Sequence, residues 1–154
     1  MVQEPASQRG HAAASEGVAL GLLVATVIWV WIALVDGFVG EPFRTFDVLG
    51  GVVTFTALHY ALNVAYGIVM VAAVHGAARE PRVLVGVALV SFIIEFAFVM
   101  FTIFLSNAGL GELAWLRVLG GNVAGAVTAF LFLARRHPLR EELRAEVRVE
   151  KEDA

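Results

Sequence analysis

The amino-acid sequence predicts an all-α integral membrane protein, an antiparallel four-helix bundle of up-down-up-down order with both termini cytoplasmic. Three observations carry this expectation. Apolar residues make up 59% of the 154 positions and charged residues 16%, against roughly 45–50% and about 25% in an average soluble domain. The mean hydropathy is +0.80. Four apolar runs, each near the ~20 residues a spanning helix needs, alternate with short segments rich in Gly, Pro and charge.

The elements follow in order. Residues 1–15 are polar, rich in small residues and without periodicity, which predicts a mobile cytoplasmic tail ahead of a transmembrane domain over 16–136. The first helix is expected at about 17–35. It ends in DGFVGEPFRTF, with no small-residue cleavage site, so it reads as a retained span rather than a signal peptide. Gly17, Gly21 and Ala25 form a row of small residues that lets a neighbouring helix approach closely. Trp29 and Trp31 stand toward the far end, where an aromatic belt belongs. Residues 36–47 read as a loop, and the second helix as about 51–75. A charged turn with Arg79, Glu80, Pro81 and Arg82 leads to a third helix at about 83–105. SNAGLGE (106–112) turns the chain into a fourth helix at about 113–134. Gly120, Gly121 and Gly125 on that helix read as close-packing positions that also allow a dimer. Residues 137–154 form a charged tail in which Leu139, Leu143 and Val147 recur every four residues, the thin apolar stripe of an amphipathic helix.

Basic residues orient the bundle. With this topology nine of the eleven lie on one side, in the two tails and the turn between helices two and three, and only Arg44 and Arg117 lie on the other. The positive side faces the cytoplasm, which fits a multi-pass protein of a prokaryotic inner membrane. GVAL recurs at Gly17 and Gly86 and VLGG at Val48 and Val118, offsets of 69 and 70 residues. Such near-equal spacing suits a duplicated helical hairpin, with chance in a Gly- and Val-rich chain as the competing explanation.

The candidate site is a layer of polar side chains inside the apolar spans. Thr26, Asn63, Glu95 and Asn122 fall near the midpoints of the four helices. His59, Asn63 and Tyr66 are spaced i, i+4 and i+7 and so share one helix face. Ser91, Glu95 and Thr102, with Ser106, make a second stripe on helix three, expected to face the first. A carboxylate at mid-bilayer costs on the order of 3 kcal/mol even on the lenient insertion scale. Glu95 is therefore expected to sit inside the bundle, near His59 or Asn63, and to carry a proton that His59 relays. The bland alternative is interhelical hydrogen-bond packing, at under ~1–2 kcal/mol per contact.

Composition excludes several activities. The absence of cysteine removes disulfides, thiolate metal sites and thiol redox chemistry. A net charge of −3 offers no basis for binding nucleic acid. Nothing resembles a catalytic nucleophile motif, so an enzyme is not the expectation. No cofactor is expected, and a haem held through His59 is the remote exception, because His75 lies 16 residues further along the same helix, ~24 Å away. The expected partners are the lipid bilayer and either further copies of the chain or other membrane subunits. Two functions remain: a proton-coupled transporter or permeation unit acting as an oligomer, or an accessory or assembly subunit of a larger membrane complex.

Overall fold

The computed structural model describes residues 6–77, 86, 94, 96–97 and 99–136, with the side chains of residues 6–12, 77 and 108 excepted. All regular structure among the described residues is helical. Helix α1 spans Ala6–Phe38, the short α2 Arg44–Val48, α3 Val52–Ala77 and α4 Ala114–Arg136. Residues 99–105 are helical as well. The third predicted span therefore lies mostly outside the described residues, as do Ser91, Glu95 and residues 137–154. Among the described residues, three helical segments are long and apolar enough to cross a membrane: Ala13–Phe38, Val52–Gly76 and Gly111–Arg136. At 25 or 26 residues, each covers ~38 Å, more than a ~30 Å hydrocarbon core.

Helix α1 is the central element. Along α3 its partners run backwards, with Gly17 against Ile68, Gly21 against Val64, Ala25 against His59 and Trp29 against Thr56, so the two helices are antiparallel. Along α4 the order is also reversed, with Trp31 at Gly120, Ile28 at Gly125 and Leu20 packed with Ala129 and Leu133. The closest approach is to α3. A methyl group on Gly17, Gly21 or Gly67 would fall on the backbone of the facing helix. The small-residue row thus does what its spacing predicts, and the mutual partner of Gly17 and Gly21 is Gly67. One end of this packing is sealed by a core of Leu20, Val24, Val71, Ala129 and Leu133.

Several sequence expectations change. Residues 6–15, read as a tail, continue α1 toward its N-terminus. The 36–47 loop holds most of α2, which inserts the fully buried Phe46 between α1 and α3, within 5.1 Å of both the Trp29 and Phe55 rings. The indole N–H groups of Trp29 and Trp31, read as belt anchors, donate inside the protein to Thr56 Oγ1 and to the Leu116 carbonyl, both at 3.0 Å. Gly120, Gly121 and Gly125 face Trp31 and Ile28 of α1, so the face read as a dimer surface is used within the chain. The two VLGG copies differ in structure. The first ends α2 and turns through Gly50 and Gly51 at φ 99° and 90°, a region only glycine enters freely, whereas the second lies inside α4. The two segments thus share a spelling and not a local conformation.

The end of the molecule at the C-terminus of α1 is tied by ions. Arg117, in the first turns of α4, is 1% exposed, and its Nε lies 2.8 Å from Oδ1 of the buried Asp36. That Nε–H is not aligned with an acceptor, so the contact is charge on charge. The other guanidinium nitrogens donate to Glu41 Oε2 at 2.8 Å and to the Leu110 carbonyl at 3.0 Å. Asp36 in turn accepts from the backbone N–H and the hydroxyl of Thr45, both at 2.8 Å. Arg44 donates to the Gly109 carbonyl at 3.2 Å, joining α2 to the turn before α4. Arg117, counted with Arg44 on the less basic side of the bundle, has its charge matched inside the protein by Asp36 and Glu41.

Candidate functional site

A cavity of about 610 Å³ opens beside α1, between α3 and α4. This is within the range of small-molecule sites. Its floor is Val24, Ile28 and Ile32 of α1. Helix α3 contributes Phe55, Leu58, His59, Leu62, Asn63 and Tyr66, and α4 contributes Val118, Asn122, Gly125 and Ala126. Thr45 and Leu49 close one end, and Ile94 and Phe101 face the gap between α3 and α4. The cavity exists because α3 and α4 both lean on α1, whose glycine contacts draw them down onto it rather than onto each other.

The structure places the eight polar residues picked out from sequence in three groups. His59, Asn63, Tyr66 and Asn122 share the cavity wall. Thr26 is not on it: its hydroxyl donates to the Leu22 carbonyl at 2.8 Å and pairs with the Tyr60 hydroxyl at 3.0 Å. Thr102 is buried but also off the wall. Glu95 and Ser91 lie outside the described residues. The wall residues do not form a flat layer. Asn63 packs level with Gly21, while Gly121, beside Asn122, packs level with Ile28. Seven residues of α1 separate those levels, ~10 Å along the axis. The polar groups are strung along the cavity, from Tyr66 at one end to Thr45 at the other.

His59 is the most constrained of them. Its Nε2 lies 3.1 Å from the Ala25 carbonyl, which can only accept, so Nε2 carries the proton of that bond. Its Nδ1 lies 3.3 Å from Asn63 Nδ2, which can only donate, so Nδ1 accepts. The second proton of the Asn63 amide goes to the His59 carbonyl at 2.9 Å. The ring is stacked under Phe55 at 5.0 Å with the planes 13° apart. Both ring nitrogens are thus engaged, and a ligand to either one has to displace Ala25 or Asn63.

Asn122 is the opposite case. Its amide nitrogen Nδ2 is enclosed by protein and has no hydrogen-bond partner among the described residues. A buried donor without an acceptor costs about 1–3 kcal/mol, so this side chain is poised for a partner.

Sequence reasoning missed Thr45, which links the cavity to the ion network through Asp36. It also missed Asp36 and Arg117 themselves. A usable signal was present: Asp36 at the end of the first apolar run and Arg117 near the start of the fourth stand on the same predicted side with opposite charge. No known family model matches the chain, nor does any curated protein or solved structure.

Proposed function

We propose that this chain is a small multi-pass protein of a prokaryotic inner membrane, a four-helix antiparallel bundle with cytoplasmic termini, that works as an oligomeric proton-coupled transporter or permeation unit. The observation that carries the reading is the cavity, with His59, Asn63, Tyr66 and Asn122 lining one largely apolar chamber. Intramembrane polar and ionisable groups mark solute and proton paths. From Phe55 to Tyr66 the α3 wall covers ~16 Å of axis, about half the ~30 Å core. A chamber of that reach suits an occluded binding pocket better than an open pore, so transport requires a conformational step.

Glu95 is the proposed proton carrier and His59 its relay. The hydrogen bonds around His59 define what the relay demands. A proton arriving at Nδ1 meets the Asn63 amide as a donor facing a donor. Asn63 must turn, and in turning it releases the His59 carbonyl. Proton uptake therefore moves a residue of the cavity wall, a direct coupling of charge to pocket shape.

A second reading, an accessory subunit of a membrane complex, is favoured by α3. Only 11% of its apolar span is buried, and Val53 and Val69 stand exposed, which leaves a broad face for lipid or for another subunit.

The test is proton flux in sealed proteoliposomes under an imposed pH gradient. The wild-type protein is expected to dissipate the gradient faster than protein-free vesicles. Glu95→Gln should insert normally and lose the flux, and Asn63→Leu should slow it. Wild-type vesicles as tight as protein-free ones, together with a foreign subunit that co-elutes in mild detergent, would replace the transporter by the accessory reading.

A further inference from the structure

We infer that the groove between α1 and the C-terminal end of α4 holds one anionic phospholipid, with its phosphate on Arg135 and Arg136 and an acyl chain against Leu23, Leu131 and Phe132. The inference rests on the apolar helices spanning a bilayer and is independent of transport.

The groove is a second cavity, of about 350 Å³, and shares no residue with the chamber around His59. It is lined by Leu23 of α1 and by Thr128, Leu131, Phe132, Arg135 and Arg136 of α4. The α4 residues are spaced i, i+3, i+4, i+7 and i+8, so one helix face supplies both the charge and the apolar wall. The arginines close the apolar segment Gly111–Arg136. They therefore stand at headgroup level, and Thr128, ~10 Å further along the axis, stands in the hydrocarbon.

The charge at the outer end is unspent. Arg117 is paired with Asp36 and Glu41, and Arg44 donates to the Gly109 carbonyl. Arg135 and Arg136 are exposed and have no carboxylate or carbonyl partner among the described residues. Arg136 is held over the Phe132 ring, 4.9 Å from its centroid. Stacking of that kind leaves the N–H edge of the guanidinium open to a phosphate. Two positive charges without an internal anion favour a headgroup that brings negative charge and no ammonium of its own, which selects an anionic phospholipid over a zwitterionic one.

The inner end suits a tail. Thr128 spends its hydroxyl proton on the Ala124 carbonyl at 2.8 Å. Leu23 and Leu131 are 43% and 47% exposed. A helix C-terminus attracts basic residues by itself, but that attraction does not account for a groove that sets both arginines above an apolar wall.

The experiment is native mass spectrometry of the full chain in nonionic detergent. The titrants are palmitoyl-oleoyl phosphatidylglycerol, phosphatidylcholine with the same chains, and glycerol phosphate as a headgroup without a tail. One phosphatidylglycerol is expected to bind on the order of thirtyfold more tightly than phosphatidylcholine, the factor that two basic residues supply toward an anionic headgroup. Glycerol phosphate is expected not to displace it. Equal binding of the two lipids, or displacement by glycerol phosphate, would overturn the inference, and neither result needs a variant. Arg135→Gln with Arg136→Gln should remove most of the preference. Arg140→Gln with Arg144→Gln, an equal loss of charge, should leave it. Leu131→Trp keeps both charges, fills the groove and should weaken phosphatidylglycerol binding about tenfold. Equal losses from the two arginine pairs would mean diffuse attraction, and unchanged binding in Leu131→Trp would mean that the groove holds no chain; either result overturns the inference. Selective lipid binding without proton flux removes transport and leaves the lipid site standing.

Discussion

Asp36 and Arg117 lie 2.8 Å apart, carboxylate to guanidinium, with both side chains buried. They are 81 residues apart in the chain and belong to the end of α1 and the start of α4. Removing charges from water is costly, and a buried pair is favourable only when its remaining hydrogen-bonding capacity is filled. Here Thr45 fills two positions on the carboxylate, and Leu110 and Glu41 fill two on the guanidinium. The pair holds α1, α2 and α4 together at one end of the cavity, and Thr45 carries that order into the cavity wall.

Arg117→Met should be among the most damaging single substitutions in the protein. It strands the Asp36 carboxylate in a buried position, at a cost of about 3–5 kcal/mol. Glu41 is 53% exposed, so Glu41→Gln should cost less than about 1 kcal/mol. Denaturation followed by circular dichroism in mild detergent compares the two. Equal effects would mean that the Asp36 contact contributes nothing of its own.

The contact between α1 and α3 depends on the absence of side chains. Gly21→Val places branched carbon on the backbone of α3 at Asn63 and Val64 and should destabilise by at least the ~1–3 kcal/mol of ordinary overpacking. Gly37→Val is the matched control, because nothing lies within 4 Å of a Cβ there. Thermal unfolding of both variants is expected to show a large loss for the first and little change for the second. Similar behaviour would mean that the helices can separate at no cost.

Orientation is open to a clean chemical test, since the chain has no cysteine of its own. Pro42→Cys, at an exposed position between α1 and α2, should react with an impermeant maleimide in intact cells. Arg79→Cys should react only after permeabilisation. The reverse pattern would place both termini outside and invert the direction assigned to any proton movement.

The approximate limits of two long helices were legible in the sequence, because a bilayer-length apolar run leaves few alternatives. The predicted 51–75 became Val52–Ala77 and the predicted 113–134 became Ala114–Arg136. The shared face of His59, Asn63 and Tyr66 was legible for the same kind of reason: helical periodicity alone aligns i, i+4 and i+7. What the tertiary structure decided is everything that depends on how far one helix slides along another. That register turned a supposed flat layer into a staggered line, took Thr26 out of it toward Tyr60, and brought Asn122 to the same chamber as His59. It also brought Arg117 onto Asp36 as a buried pair, 81 residues away in the chain. Periodicity reports which residues share a helix face and carries no information about axial offset between helices. That offset is set by steric fit, here by Gly17, Gly21 and Gly67 between α1 and α3 and by Gly120, Gly121 and Gly125 against Trp31 and Ile28.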